Sequence, residues 1–181
     1  MTDRRMIKTK KALFSALGRL LKRNEFDRIT VSDIVREAGV TRKTFYNHYQ
    51  DKIGMVQDYQ RELSEEIRLM TAGRREIGRD FFVELFTLIG KQDDLLAGLF
   101  SANGSPVVQD IMKGTMRQYC LEMTSDPDED LVFLEYQAVM LSNIIFGVAQ
   151  HWLTTGKKTT PEETADILMR LHFPVTDAEG L

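Results

Sequence analysis

At 181 residues, with 43% apolar and 28% charged side chains, the chain can bury a real core and has the composition of a soluble globular protein. No run of eighteen apolar residues occurs and no apolar stretch follows the opening MTDRRMIKTKK, which argues against a membrane span and a secretory leader. The net charge of −3 conceals a basic start: residues 1–52 hold thirteen Lys or Arg against six Asp or Glu, and the rest holds eleven against twenty-one.

Helical spacing recurs along most of the chain, and no strand-like alternation bounded by hairpin turns interrupts it. Leu13, Phe14, Leu17, Leu20 and Leu21 form the apolar stripe of a first helix that ends near Asn24, with Phe26 and Ile29 as the next core candidates. Thr30 then caps a short second helix, and Asp33 three residues on completes a capping-box pattern. Val31, Ile34, Val35 and Ala38 share one face, and Gly39 stops the helix as a residue able to take positive φ. Thr41 caps a third helix almost at once. Two short helices joined by a tight glycine turn make a helix-turn-helix unit.

On the third helix Phe45 and Tyr49, four apart, point back into the small core. Asp51 caps a fourth helix running through Ile53, Val56, Tyr59, Leu63 and Ile67 to about Met70. At about 1.5 Å per residue it spans nearly 30 Å and links the basic module to the rest. The remainder reads as helices around Phe81–Ile89, Leu95–Phe100, Pro106–Met123, Leu131–Leu153 and Thr160–Leu171, the last with Thr160, Pro161 and Glu163 as its start signature. Loops fall at Asn103–Pro106, Thr124–Asp130 and beyond Pro174. The predicted fold is all-α, with a helix-turn-helix domain over residues 1–52 and a helical body over residues 53–181.

The stretch TRKTFYNHYQDK, residues 41–52, gathers hydrogen-bond donors among rings: Thr41, Arg42, Lys43, Thr44, Tyr46, Asn47, His48 and Lys52. A short, capped, donor-rich helix fits the major groove of B-DNA, its donors meeting phosphates and base edges. The basic residues of the first helix add attraction to a polyanion.

The run ITVSDIVREAGVTRKTFYNHYQDKIGMV, residues 29–56, resembles the N-terminal domain of TetR-family transcriptional regulators. The family pattern is met by Thr30, Ala38-Gly39-Val40, Thr44-Phe45-Tyr46, His48-Tyr49 and Lys52, and TFYNHYQDK is similar to members likened to dihydroxyacetone-kinase regulators. The resemblance implies a homodimer on double-stranded operator DNA, joined by the last two long helices, with middle helices around an effector cavity. It implies that Arg42 and Lys43 read bases, that Thr44, Tyr46 and His48 contact phosphate or base edges, and that Lys52 reaches a phosphate. Thr30 and Ser32 then face the DNA backbone from the second helix. An effector that releases the DNA, making the protein a repressor, is the leading expectation. Control by a protein partner with no small-molecule site, in an activator, is the alternative.

Pocket candidates are Phe81, Phe86, Phe100, Met112, Met116, Tyr119, Phe133 and Met140; with few charges among them, the effector is expected to be mostly apolar or uncharged. Dimer candidates are Ile144, Val148, Trp152, Ile167, Leu168 and Leu171, whose apolar surplus exceeds what one core absorbs. Enzyme chemistry, cofactors and metals are not expected. His48, His151 and His172 are scattered, no phosphate loop or nucleophile elbow occurs, and Asp126, Asp128, Glu129 and Asp130 lack EF-hand spacing. The single cysteine, Cys120, excludes an internal disulfide and fits a reducing compartment, the cytoplasm.

Overall fold

The computed structural model describes residues 2–72, 74, 77–92, 94–124 and 129–172. Most of the Thr124–Asp130 loop and the tail from Pro174 lie outside them. Among the described residues the regular structure is helical: α1 (Thr2–Leu21), a 3-10 turn (Phe26–Arg28), α2 (Val31–Ala38), α3 (Arg42–Tyr46), α4 (Lys52–Thr71), α5 (Arg79–Lys91), α6 (Asp94–Phe100), α7 (Pro106–Thr124), α8 (Leu131–Thr154) and α9 (Pro161–His172).

The chain parts into two compact units, Met1–Glu66 with Gln92–Met112, and Ile67–Lys91 with Lys113–Leu181. The boundary expected after residue 52 therefore falls inside the first unit. The reason is α6: it packs along α1 and completes the core that α1 shares with α2. This contact is close because glycine faces it from both sides. A Cβ on Gly18 would lie 2.6 Å from the Leu95 amide nitrogen, and one on Gly98 would lie 2.7 Å from the Leu21 Cβ. The loop after α6 seals the same core, since the Asn103 carbonyl accepts from the Phe26 amide at 2.7 Å and the Asn103 side chain donates to the Leu21 carbonyl at 2.7 Å. Of the chain's elements α4 was the expected link to the second unit, but α7 also begins in the first and ends in the second.

In the second unit α5 packs on α9, and α8 contacts both. Leu134, Ala138, Leu141, Ile145, Phe146, Ala149, Trp152 and Leu153 give α8 one buried face, and Trp152 meets Phe86 edge-on at 5.4 Å. By length and composition α8 is apolar enough to cross a membrane, yet this face is buried in its own unit. The start of α9 is a capping box: Thr160 Oγ1 accepts from the Glu163 amide at 3.2 Å, and Glu163 accepts from the Thr160 amide at 2.8 Å.

Candidate nucleic-acid interface

The helix-turn-helix is fixed by caps and rings. Thr30 accepts from the Asp33 amide at 3.2 Å while Asp33 accepts from the Thr30 amide at 3.0 Å, the reciprocal box that orients α2. The Thr30 hydroxyl donates to Asp33 as well, and these bonds hold the Asp33 carboxyl below the usual carboxylate range. Gly39 ends α2 at φ 67°, in the left-handed region that glycine enters without strain. Thr41 then accepts from the Thr44 amide at 3.1 Å, and the two hydroxyls lie 2.9 Å apart.

Helix α3 is shorter than its sequence pattern, closing at Tyr46, but the Tyr49 amide still donates to the Phe45 carbonyl at 2.9 Å. Phe45 and Tyr49 thus share the inner face, with rings 5.7 Å apart and both side chains buried. Phe14 of α1 lies 6.4 Å from the Tyr49 ring. With those rings as a keel, Arg42, Lys43, Tyr46 and Asn47 are exposed, and Thr44 and His48 are half-buried. Arg42 bridges the two helices, donating to Ser32 at 3.0 Å and to the Tyr46 hydroxyl at 3.3 Å. The hydroxyls of Thr30 and Thr41 are engaged as caps, so the outward donor set is led by Arg42, Lys43, Tyr46, Asn47 and His48.

Two groups depart from the sequence reading. Much of the positive charge on α1 and in the turn that follows it is paired: Lys10 with Asp58 and Glu62, Arg19 and Arg23 with Glu37, and Lys22 with Asp94. Arg4, Arg5, Lys8 and Lys11 stay exposed and join no ion pair among the described residues. Lys52, expected to reach outward to a phosphate, points inward. Its ammonium donates to the carbonyls of Phe26 at 2.6 Å, Ile29 at 2.8 Å and Asp27 at 3.1 Å, and sits 4.6 Å from the Phe26 ring centre. Burial lowers its pKa from the ordinary lysine value, opposed by the nearby Asp27 carboxylate.

Sequence reasoning missed Asp58. This buried α4 carboxylate accepts from the Tyr49 hydroxyl at 3.1 Å and pairs with Lys10 at 2.6 Å and with Arg61. The signal was present, since Asp58 interrupts the apolar stripe of Met55, Val56 and Tyr59. Burial works to raise its pKa, but the bonds from Lys10 and Tyr49 and the Arg61 charge outweigh it, leaving the carboxyl below the usual range. A depressed folded-state pKa contributes stability above the unfolded value, about 4, that is lost as pH falls through the folded value. Asp58→Asn is therefore expected to be less stable than wild type by a constant amount from pH 7 to 5. The difference should begin to shrink only as pH falls below about 4 and vanish once pH is below the depressed folded-state value, as urea midpoints from pH 7 downward will read.

Residues 13–59, which hold this whole arrangement of caps, turn and keel, match the family model of bacterial regulatory proteins of the tetR family. Residues 79–173, over half of the chain, match that of a transcriptional regulator C-terminal region of the same group.

The chain belongs to the TetR family.

It is thus a DNA-binding transcriptional regulator of helix-turn-helix type. Among curated TetR-like relatives, an uncharacterised HTH-type transcriptional regulator of Bacillus subtilis strain 168, YxbF, is 28% identical over 178 residues. That match takes in 90% of this chain but 44% of YxbF, so the chain spans less than half of that relative's length. The TetR transcriptional regulator from Streptococcus agalactiae 2603V shares the fold at TM-score 0.63 and 23% identity, over 94% of this chain and 96% of its own. The dihydroxyacetone kinase operon activator DhaS does so at TM-score 0.56 and 16% identity, over 90% and 93%.

The other candidates of this TetR-family chain are dispersed. Phe100 and Met112 belong to the first unit; Phe81, Phe86, Met116, Tyr119, Phe133 and Met140 belong to the second. Phe81, Phe86 and Phe100 are buried, and Met112, Met116 and Tyr119 are half-buried. Phe133 and Met140 are 55% and 47% exposed, on the side of α8 away from its buried Leu134, Ala138 and Leu141. Of the dimer candidates, Trp152 of α8 and Leu168 of α9 are buried within the unit, 5% and 0% exposed. Ile144 and Val148 are half-buried and Ile167 and Leu171 exposed. An apolar groove of about 420 Å³ lies between α8 and α9, lined by Gly147, Val148, His151, Ile167 and Leu171, with Trp152 at its floor. The Cys120 thiol is buried, and desolvation pushes it up to about 12, so it is a protonated core group at neutral pH.

Proposed function

We propose that this TetR-family chain represses transcription as a homodimer on a twofold operator and is released by a small, mostly apolar or uncharged effector. One observation supports the DNA reading above others: a capped helix keeled by Phe45 and Tyr49 leaves Arg42, Lys43, Tyr46 and the C-cap Asn47 exposed together, with half-buried His48 beside them. A rigid short helix with cations and hydroxyls on one side suits a major groove. The groove of Gly147, Val148, Ile167 and Leu171 supports pairing through α8 and α9, because an apolar surface beside a glycine admits close approach of a second copy. In such a dimer two reading helices address half-sites about 34–36 Å apart, and an effector acts by favouring a spacing that fits neither groove. Its place of work is the cytoplasm, with the chromosome.

Selection of duplexes from a random pool by the whole chain, followed by sedimentation with and without the selected duplex, tests this reading. Enrichment of a twofold sequence bound by two chains is expected; no enrichment would end it. Arg42→Ala should cost about 1–3 kcal/mol on the selected duplex and relax preference at one base pair, as isotherms against single-base variants will read.

A second reading is control by a protein partner, in an activator. Phe81 and Phe86, two pocket candidates, are already filled by packing, and the fold relative DhaS is named as an operon activator. Thermal stabilisation by a metabolite panel separates the two, since a ligand that binds only the folded state raises its stability.

A further inference from the structure

We infer that Asp58 of α4 is a positioning residue for sequence reading: through the Tyr49 hydroxyl it sets how the α3 segment lies in a groove. The inference rests on the DNA-binding reading above. The keel beneath α3 is made of rings. Those of Phe45 and Tyr49 lie 5.7 Å apart, and Phe14 of α1 lies 6.4 Å from Tyr49. Apolar contact is non-directional, so rings alone hold α3 to the core without fixing its roll or its slide. A hydrogen bond is directional, and the one that Tyr49 donates to Asp58 at 3.1 Å supplies that constraint.

The acceptor is itself held. Asp58 is buried; its Oδ2 takes the Tyr49 hydroxyl and, at 2.6 Å, Lys10 of α1, while its Oδ1 takes Arg61. Lys10 also pairs with Glu62, so its ammonium is anchored to α4 twice. The first helix, the end of the α3 segment and α4 therefore meet at one carboxylate. What pins Tyr49 also pins its neighbours on the reading side. His48 directly precedes it, with rings 6.0 Å apart, and Tyr46 sits edge-on to Phe45 at 5.5 Å. Stability is a weak reason for such a network, because apolar groups of matching size in place of a buried ion cluster are often as stable. One preferred geometry is what the network adds and an apolar core does not.

Three variants separate positioning from mere support. Tyr49→Phe removes one oxygen and keeps the ring. Lys10→Met with Asp58→Leu removes the acceptor and its cation together and leaves the net charge unchanged. The third variant combines all three changes. Each is measured, at a temperature where circular dichroism shows it folded, against the duplex selected by wild type and a scrambled duplex. Each should lose fivefold or more on the selected duplex and keep wild-type affinity for the scrambled one. The slope of log K against log salt should be unchanged, whereas loss of a phosphate contact lowers it by about 0.9 on both duplexes. The combined variant should lose no more than twofold beyond the weaker binder of the other two, because one bond can be broken only once. A residue that only stabilises leaves every affinity unchanged once the chain is folded. That result, losses that multiply in the combined variant, or equal losses on both duplexes would overturn the inference. Hydrogen exchange followed by mass spectrometry reads the same fastening without DNA. Amides of residues 42–49 should exchange at least fivefold faster in Tyr49→Phe than in wild type, with residues 13–21 of α1 unchanged. Equal exchange at residues 42–49 would overturn the inference too. Should wild type enrich no duplex, the DNA reading fails, while faster exchange still upholds the fastening of α3 by Asp58.

Discussion

A glutamate at Leu168 is expected to unfold the chain, whereas a glutamate at Val148 should leave it folded and monomeric. Both residues carry the apolar surplus of the last two long helices, and sequence alone ranks them together as interface residues. Their surroundings separate them. Leu168 is 0% exposed and faces the core that α9 builds with α5 and α8. Emptying such a site of leucine alone costs about 2–5 kcal/mol, and an unpaired carboxylate in its place adds several more. That total equals or exceeds much of the roughly 5–15 kcal/mol that holds an ordinary domain folded. Val148 is half-buried on the wall of the α8–α9 groove, so a charge there reaches water in the single chain. It meets a desolvation cost only when a second copy covers the groove. Thermal melts by circular dichroism and sedimentation velocity at micromolar concentration check the pair. Two folded dimers would refute the placement of the interface, and a folded Leu168→Glu would refute the packing of α9.

The second large effect is expected at Gly18. Alanine there places a methyl 2.6 Å from the Leu95 nitrogen and 2.8 Å from the Asp94 carbonyl carbon, both backbone atoms at the start of α6. Backbone does not yield as a side chain does, so α6 must move off α1, at about 1–3 kcal/mol or more. The usual gain from replacing a helical glycine, about 1 kcal/mol, acts in the opposite direction. Gly114 of α7 isolates that gain, because nothing lies within 4 Å of a Cβ built on it. Gly114→Ala should therefore stabilise by up to about 1 kcal/mol and Gly18→Ala destabilise, the difference being the steric cost alone. Urea denaturation of both variants against wild type measures it; equal shifts would mean that α1 and α6 have room to spare.

Local chemistry was legible from the residues, and long-range partners were not. The Thr30–Asp33 and Thr160–Glu163 boxes, the Gly39 stop and the inward pairing of Phe45 with Tyr49 depend on neighbours within four positions, so spacing reveals them. The carbonyl contacts of Lys52 were not legible because backbone carbonyls belong to every residue and no pattern marks them. The burial of Trp152 and Leu168 within their own unit was not legible because an apolar side chain records that it will be covered, not by what. Phe133 and Met140 lie one step around α8 from residues that are buried, an offset that decides between core and surface and that a weakly sided helix leaves undefined. The role of α6 was invisible for a related reason: its short apolar run fits any core, and only Gly18 and Gly98 hint at close contact.

The closure of the reading unit by α6 and Asn103 also bears on how the protein is made and how it can be rebuilt. A growing chain that has emerged only through α4 holds the complete family motif, yet the groove along Gly18 and Leu21 is still bare. The Phe26 amide also lacks its acceptor. Until synthesis reaches the neighbourhood of Met112, the portion that recognises DNA lacks part of its own interior. The same geometry defines the smallest transplantable reader. A graft cut at the end of the family motif leaves its core open, and one that carries Gln92–Met112 along brings its own lid.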